Sequence, residues 1–176
     1  MTWLPRLATS VPFVVRGDSM LPNFDTDQYV LVRRLGRDRG PNRGDVVVFR
    51  HHLRPGMTLL KRVVGLPGDR VQVRSGRVYV DGRVLDEPYL PSVPHPSDSG
   101  GTPDTTKPLD REVEWVLHEG QYFVLGDNRN PSHPGRPDDS RRFGPVEVTA
   151  IVGAAWFRYW PPGAWGLLPS SPPGTA

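Results

Sequence analysis

The chain has 176 residues, a length that fits one compact domain or a core with a small insertion. Cysteine is absent, which excludes a disulfide framework, a cysteine nucleophile and thiolate metal sites. Hydrophobic residues make up 36% and no apolar run approaches the roughly 20 residues of a spanning helix, so a bundle of membrane helices is excluded. The net charge is only +3, a mixed solvated surface rather than the lopsided balance of a nucleic-acid binder.

With 21 prolines and 19 glycines, turns are frequent and long helices are not expected. The first ten residues lack the charged start and apolar middle of a signal peptide. Short runs rich in Val, Tyr and Phe, bounded by Gly, Pro, Asp or Asn, predict strands over 11–16, 29–34, 46–50, 58–66, 71–74, 77–80, 113–117, 122–125 and 154–159. Val46, Val47, Val48 and Phe49 are apolar without alternation, the pattern of a strand buried on both faces. Ser75-Gly76 and Asp81-Gly82 sit between alternating runs as two-residue hairpin turns.

The segment 87–110 carries Pro88, Pro91, Pro94, Pro96, Pro103 and Pro108 and reads as an irregular loop. Trp156, Phe157, Tyr159, Trp160 and Trp165 cluster near the end, either as core or as a belt at a membrane surface. The Pro/Gly/Ser-rich segment 161–176 reads as a disordered tail. The expectation is a mostly-β fold, with coiled antiparallel sheets forming a partly closed, barrel-like core, because a sheet protein of this size must hide its edges. The core takes 10–70 and 118–160, and a small β insertion takes 71–117.

Several catalytic signatures are missing, among them His-Glu-x-x-His, Gly-x-Ser-x-Gly, a phosphate-binding loop and a dinucleotide fingerprint. No metal site and no cofactor are expected. His51-His52 reads as a surface pair in a polar loop. His133 with Asp138 or Asp139 imitates part of a triad, but in a Pro-rich segment with no obvious serine to serve. The basic residues are more informative. Of 22, only Lys61 and Lys107 are lysines. Arg stays protonated, whereas a buried Lys can lose its proton. Lys61 lies among Leu59, Leu60, Val63 and Val64, surroundings that would lower its pKa and make it a candidate base. A hydroxyl nucleophile needs such a base. Ser19, at a strand exit beside Gly17 and before Pro22, is the candidate. Taken singly, a turn serine and a surface lysine explain the same two residues.

The segments Gly17-Asp18-Ser19-Met20-Leu21-Pro22, Arg43-Gly44-Asp45-Val46-Val47-Val48-Phe49, Lys61-Arg62-Val63-Val64-Gly65-Leu66-Pro67-Gly68-Asp69, and Gly126-Asp127-Asn128-Arg129 through Asp139-Ser140-Arg141 occur in this order. Together they resemble the four boxes of bacterial type I signal peptidases, and Glu87-Pro88-Tyr89 resembles the stretch after the lysine box. The resemblance implies a serine endopeptidase that removes N-terminal signal peptides from secretory preproteins through a Ser/Lys dyad and an acyl-enzyme. It makes Ser19 the nucleophile and Lys61 the general base, with Ser132 orienting the lysine amine. Asp139 and Arg141 would form an ion pair near the site, and Asp127 and Asn128 belong to the same box. Phe13, Val15, Met20, Phe24, Val48, Leu59 and Leu60 would form shallow pockets for small substrate residues. A membrane surface is the implied partner, with the active site on the extracytoplasmic face of the cell membrane; nucleic acid is not.

Three departures accompany the resemblance. The membrane helix usual before the serine box is not in this sequence, so the start lies upstream, the protein is peripheral, or it is a soluble relative processing one precursor. Gly17 stands where some members carry a serine hydroxyl, which leaves the oxyanion to backbone N–H groups, chiefly that of Ser19. Residues 133–138 are inserted between Ser132 and Asp139. A non-enzymatic Arg-rich barrel that binds single-stranded nucleic acid is the alternative from another class, and it leaves the four boxes unexplained.

Overall fold

A computed structural model describes residues 9–36, 40–74, 77–91, 113–129 and 138–168. Among these the chain is mostly antiparallel β, as expected. The strands are β1 (Ser10–Val14), β2 (Tyr29–Arg33), β3 (Val46–Arg50), β4 (Thr58–Gly65), β5 (Arg70–Arg74), β6 (Arg77–Val80), β7 (Arg83–Val84), β8 (Glu114–Val116), β9 (Gln121–Leu125), β10 (Val146–Glu147), β11 (Ile151–Trp160) and β12 (Gly166–Leu167). A short helix, Ser140–Phe143, lies between β9 and β10.

Two sheets result. The larger runs β1-β2-β11-β3-β4-β9-β10, with β12 on β11, and the smaller runs β7-β6-β5-β8. The larger sheet curls without closing, since β1 and β10 end its path unpaired with each other. Register shifts in β11 against both β2 and β3 supply part of the bend. The curl makes β3 a two-sided strand. Val46 and Val48 enter the core cluster with Val15, Met20, Phe24, Val30, Val32 and Leu60. Val47 and Phe49 enter the cluster with Val63, Val124 and Val146 on the other face. This is why the run is apolar without alternation.

The smaller sheet does not have a core to itself. Val71, Val73 and Val78 pack with Val64, Phe123 and Leu125 of the larger sheet. Asp81 and Gly82 turn the β6–β7 hairpin with φ of 52° and 77°, the positive pair that a two-residue hairpin turn of the primed type requires. The other hairpin turn named from the sequence, at 75–76, lies outside the described residues, as does most of the Pro-rich loop.

One sequence expectation needs correction here. The segment 161–176 reads from the sequence as a disordered tail, yet within it Pro162–Ala164 forms a 3-10 turn and β12 pairs with Phe157 and Arg158 of β11. The Pro and Gly content there serves a tight reversal rather than a loose end. The aromatic cluster divides. Trp156 donates its indole N–H to Ser10 Oγ at 2.9 Å and Tyr159 packs against Tyr29, while Trp160 and Trp165 are exposed.

Candidate active site

The turn that carries Ser19 is held by its backbone. After β1 the chain reverses, and Val15 N–H donates to Gln28 O, Leu21 N–H to Asp18 O and Phe24 N–H to Met20 O. Met20 and Phe24 anchor the turn in the core at 1% and 2% exposure, leaving Ser19, just before Met20, half-buried at the surface edge. Lys61 comes from β4, in register with Val47 of β3. It is 2% exposed and its Nζ lies 2.6 Å from Ser19 Oγ. Nζ also donates to Leu60 O at 3.1 Å. Burial lowers the Lys61 pKa below its ordinary value, while the carboxylates of Asp139, Asp138 and Asp127 act in the opposite direction. A serine hydroxyl against a desolvated amine is an arrangement that can transfer a proton and make the oxygen nucleophilic.

The turn at 126–128 clamps the nucleophile's backbone. Asn128 N–H donates to Ser19 O at 3.0 Å, and its side-chain amide donates to Asp18 O at 3.1 Å. Ser19 O stands so close to Gly126 that a Cβ there would lie 2.4 Å from it. Only glycine allows this approach, and sequence reasoning did not assign Gly126 a role. Asp127 is buried and takes two hydrogen bonds from Arg62, Nε to Oδ1 at 2.8 Å and NH2 to Oδ2 at 2.5 Å. Asn23 Nδ2 donates to the same carboxylate at 2.9 Å and to Tyr89 O at 2.8 Å. The Tyr89 ring lies 3.9 Å from the Arg62 guanidinium, and its hydroxyl donates to Glu87 at 2.6 Å. Arg129 pairs with Glu87 and donates to Gly126 O at 2.7 Å. The Glu87-Pro88-Tyr89 stretch therefore braces the Gly126–Arg129 turn from behind.

Asp139 and Arg141 form a two-point ion pair, at 3.0 and 2.7 Å. Asp139 also caps the short helix by accepting from Arg141 N–H, and its Oδ2 takes the Gly126 N–H at 3.3 Å. Ser140 Oγ accepts from Val124 N–H at 2.9 Å. The 139–140 segment is thus laced to the end of β9, directly behind the turn that clamps Ser19.

A groove of about 170 Å³ opens beside Ser19 and Lys61, lined by Phe13, Val15, Met20, Leu59 and Leu60 among others. β1 and β4 face each other across it, although β2, β11 and β3 separate them in the sheet. Phe24 and Val48, also named as pocket residues, lie in the buried cluster behind the groove rather than in its lining. Ser132 and His133 lie outside the described residues. His51 is not the surface residue expected of a polar-loop pair. It is 5% exposed and packs 4.8 Å from the Phe143 ring, because the turn after β3 folds back under the helix. No group of side chains with the makings of a metal site occurs among the described residues.

Known proteins similar to this chain identify its family. Residues 1–160 match the family described as signal peptidase, peptidase S26. The chain is 41% identical to a signal peptidase I of Bacillus caldolyticus over 168 residues, covering 89% of this chain and 82% of that one. It is 36% identical to signal peptidase IB of Staphylococcus aureus over 155 residues, covering 85% and 78%. A crystal structure of a signal peptidase I from Enterococcus faecalis shares 31% identity over 66% of this chain and 97% of that chain, with a TM-score of 0.47. A match across nearly the whole length and relatives of this identity place the chain in the signal peptidase family, peptidase S26.

Proposed function

We propose that this serine endopeptidase removes signal peptides from preproteins with Ser19 as nucleophile and Lys61 as general base. The observation that carries the reading is the 2.6 Å approach of a buried lysine amine to an otherwise ordinary turn serine. A neutral amine has two hydrogens and one lone pair. Leu60 O accepts one hydrogen, which directs the lone pair toward the Ser19 hydroxyl. Ser19 Oγ gives its proton to Nζ and attacks the scissile carbonyl. The Ser19 N–H, bonded to no acceptor among the described residues, is the donor for the oxyanion. Collapse of the tetrahedral intermediate returns the proton to the leaving amine. Water, deprotonated by the same lysine, then releases the acyl group.

The substrate has a defined place. β1 is an end strand, and β9 pairs with β4 only from Arg62 onward, so the backbone of Thr58–Lys61 also has an open edge. An extended peptide fits between these edges by strand addition, with small side chains entering beside Phe13, Met20, Leu59 and Leu60. Ser19→Ala is expected to keep the melting curve and lower kcat/KM on a precursor with Ala-x-Ala before the cut by ~10³-fold or more. Gly126→Ala, in the same assay, is expected to lose most activity, because the Ser19 carbonyl must move away from the new methyl. Wild-type turnover in Ser19→Ala would overturn the assignment.

No helix among the described residues is long and apolar enough to cross a membrane. Membership of the family supports a reaction at the extracytoplasmic face of the cell membrane. Trp160, Trp165 and Leu167, at 50%, 65% and 54% exposure, are the surface proposed to touch lipid. Trp165→Ser with Leu167→Ser is expected to weaken sedimentation with phospholipid vesicles while leaving cleavage of a soluble peptide unchanged. Equal sedimentation of variant and wild type would remove this surface from consideration.

A further inference from the structure

We propose that Asp138, bonded by Arg54 and faced by His51 and Arg142, is a positioning residue for the Ser19–Lys61 reaction, which rests on the dyad reading above. Its place in the sequence suggests the opposite, the last residue of a dispensable insertion. The structure instead puts it where the turn leading into the lysine strand meets the helix cap that backs the clamp on Ser19. His51 and Arg54 belong to the turn that joins β3 to β4, the strand of Lys61. Asp138 directly precedes Asp139, the cap of the short helix, which holds the Gly126 turn against Ser19.

The contacts are specific. His51 Nδ1 accepts the Leu53 N–H at 3.0 Å, which leaves the ring proton on Nε2. His51 Nε2 stands 3.5 Å from Asp138 Oδ1, and Arg142 NH1 stands 3.5 Å from the same oxygen. Arg54 NH1 donates to Oδ2 at 3.2 Å. The backbone of His51 closes the turn through its N–H to Met57 O at 2.9 Å. Asp138 Oδ1 is buried with no hydrogen-bond partner among the described residues. A buried carboxylate oxygen in that state is costly, and it is faced by two donors. The arginines alone would be weak, since both are partly exposed and exposed ion pairs contribute little. The buried imidazole is the one of the three neighbours that solvent does not screen. Pulling Asp138 toward it brings the lysine strand and the helix cap into one fixed relation.

The test uses the full chain and three variants. His51→Phe keeps the ring and its packing on Phe143 but removes both nitrogens. His51→Gln restores a donor near the Nε2 position. Asp138→Asn keeps the shape and removes the charge. The readouts are kcat, KM and the pH profile of kcat/KM, with a thermal melt of each variant. His51→Phe is expected to lower kcat ~tenfold or more with KM changed less than about twofold, because misplacement of the dyad affects the chemical step. His51→Gln is expected to recover most of that loss. Asp138→Asn is expected to move the acidic limb to lower pH, since Lys61 loses a carboxylate that favours its ammonium form. Wild-type kcat in His51→Phe, no recovery in His51→Gln, or an unmoved limb in Asp138→Asn each overturn the proposal. Asp138→Asn is near-isosteric, and its own loss in kcat with KM little changed decides the matter if His51→Phe does not fold. Lys61→Arg in the same assay reports on the dyad separately, so the two ideas cannot fail as one.

Discussion

Lys61→Arg is expected to be as inactive as Lys61→Ala, with the fold retained. Arginine carries the same charge and a longer stem, so a lysine that served only as a cation would tolerate the change. A general base must be neutral before it can accept the serine proton. Guanidinium stays protonated in proteins and is never usefully neutral near neutral pH. A lysine at its ordinary value is well under ~1% neutral at pH 8, so the site must lower it. Burial supplies that shift here, against the opposing pull of Asp139, Asp138 and Asp127. The sign follows directly. Activity is low where Lys61 is protonated and rises as pH passes its lowered pKa, so the acidic limb of kcat/KM lies below the titration of free lysine.

The same shift has a cost in stability. Between the lowered pKa and the ordinary value, the unfolded chain binds a proton that the folded chain does not, so stability attributable to Lys61 rises with pH in that window. Below the window the buried ammonium opposes folding. Lys61→Met is therefore expected to melt higher than wild type at acidic pH, with the difference shrinking as pH rises. The measurements are steady-state cleavage and melting curves across pH. Substantial turnover in Lys61→Arg would rule out the base role.

The largest effect on folding is expected from Asp127→Ala. Arg62 and Asp127 are both buried, and the carboxylate takes two of the guanidinium's hydrogen bonds, with Asn23 on the same group. Removing the carboxylate leaves Arg62 charged, buried and supported mainly by Gly44 O and the Tyr89 ring. Breaking a buried pair in this way costs ~3–5 kcal/mol. At about 2–4 °C per kcal/mol for a domain of this size, the melting temperature should fall by about 10 °C. Arg62→Met with Asp127→Leu removes both charges and should recover much of the loss, because neither partner is left unpaired. A melting temperature for Asp127→Ala within a degree or two of wild type would show that the pair is not what fixes this part of the molecule.

Most strands were legible because their residues alternate or are uniformly apolar over several positions. Val46–Phe49 is the best case, since its lack of alternation already implied burial on both faces. β7, β10 and β12, with two residues each, carry no periodicity, and the short helix carries too few residues for a pattern. They exist because neighbouring elements offer a partner. Ser19 and Lys61 stood out through the local chemistry of a turn serine and a lysine in an apolar strand of an Arg-rich chain. Their relation came only through the family resemblance, because 42 residues separate them and nothing in the spacing itself brings them together.

The sequence by itself determined the strand-rich class, the exclusion of cysteine chemistry and the residue types available for acyl transfer. Local composition is enough for these, because strand patterning and side-chain chemistry are properties of short stretches. Only the tertiary structure decided the 2.6 Å contact, the need for glycine at 126, and the burial of His51 against Phe143 beside Asp138. Each depends on the curl of the larger sheet and on loops folding back over it. Those are set by long-range pairing and core packing, which no short window of sequence contains.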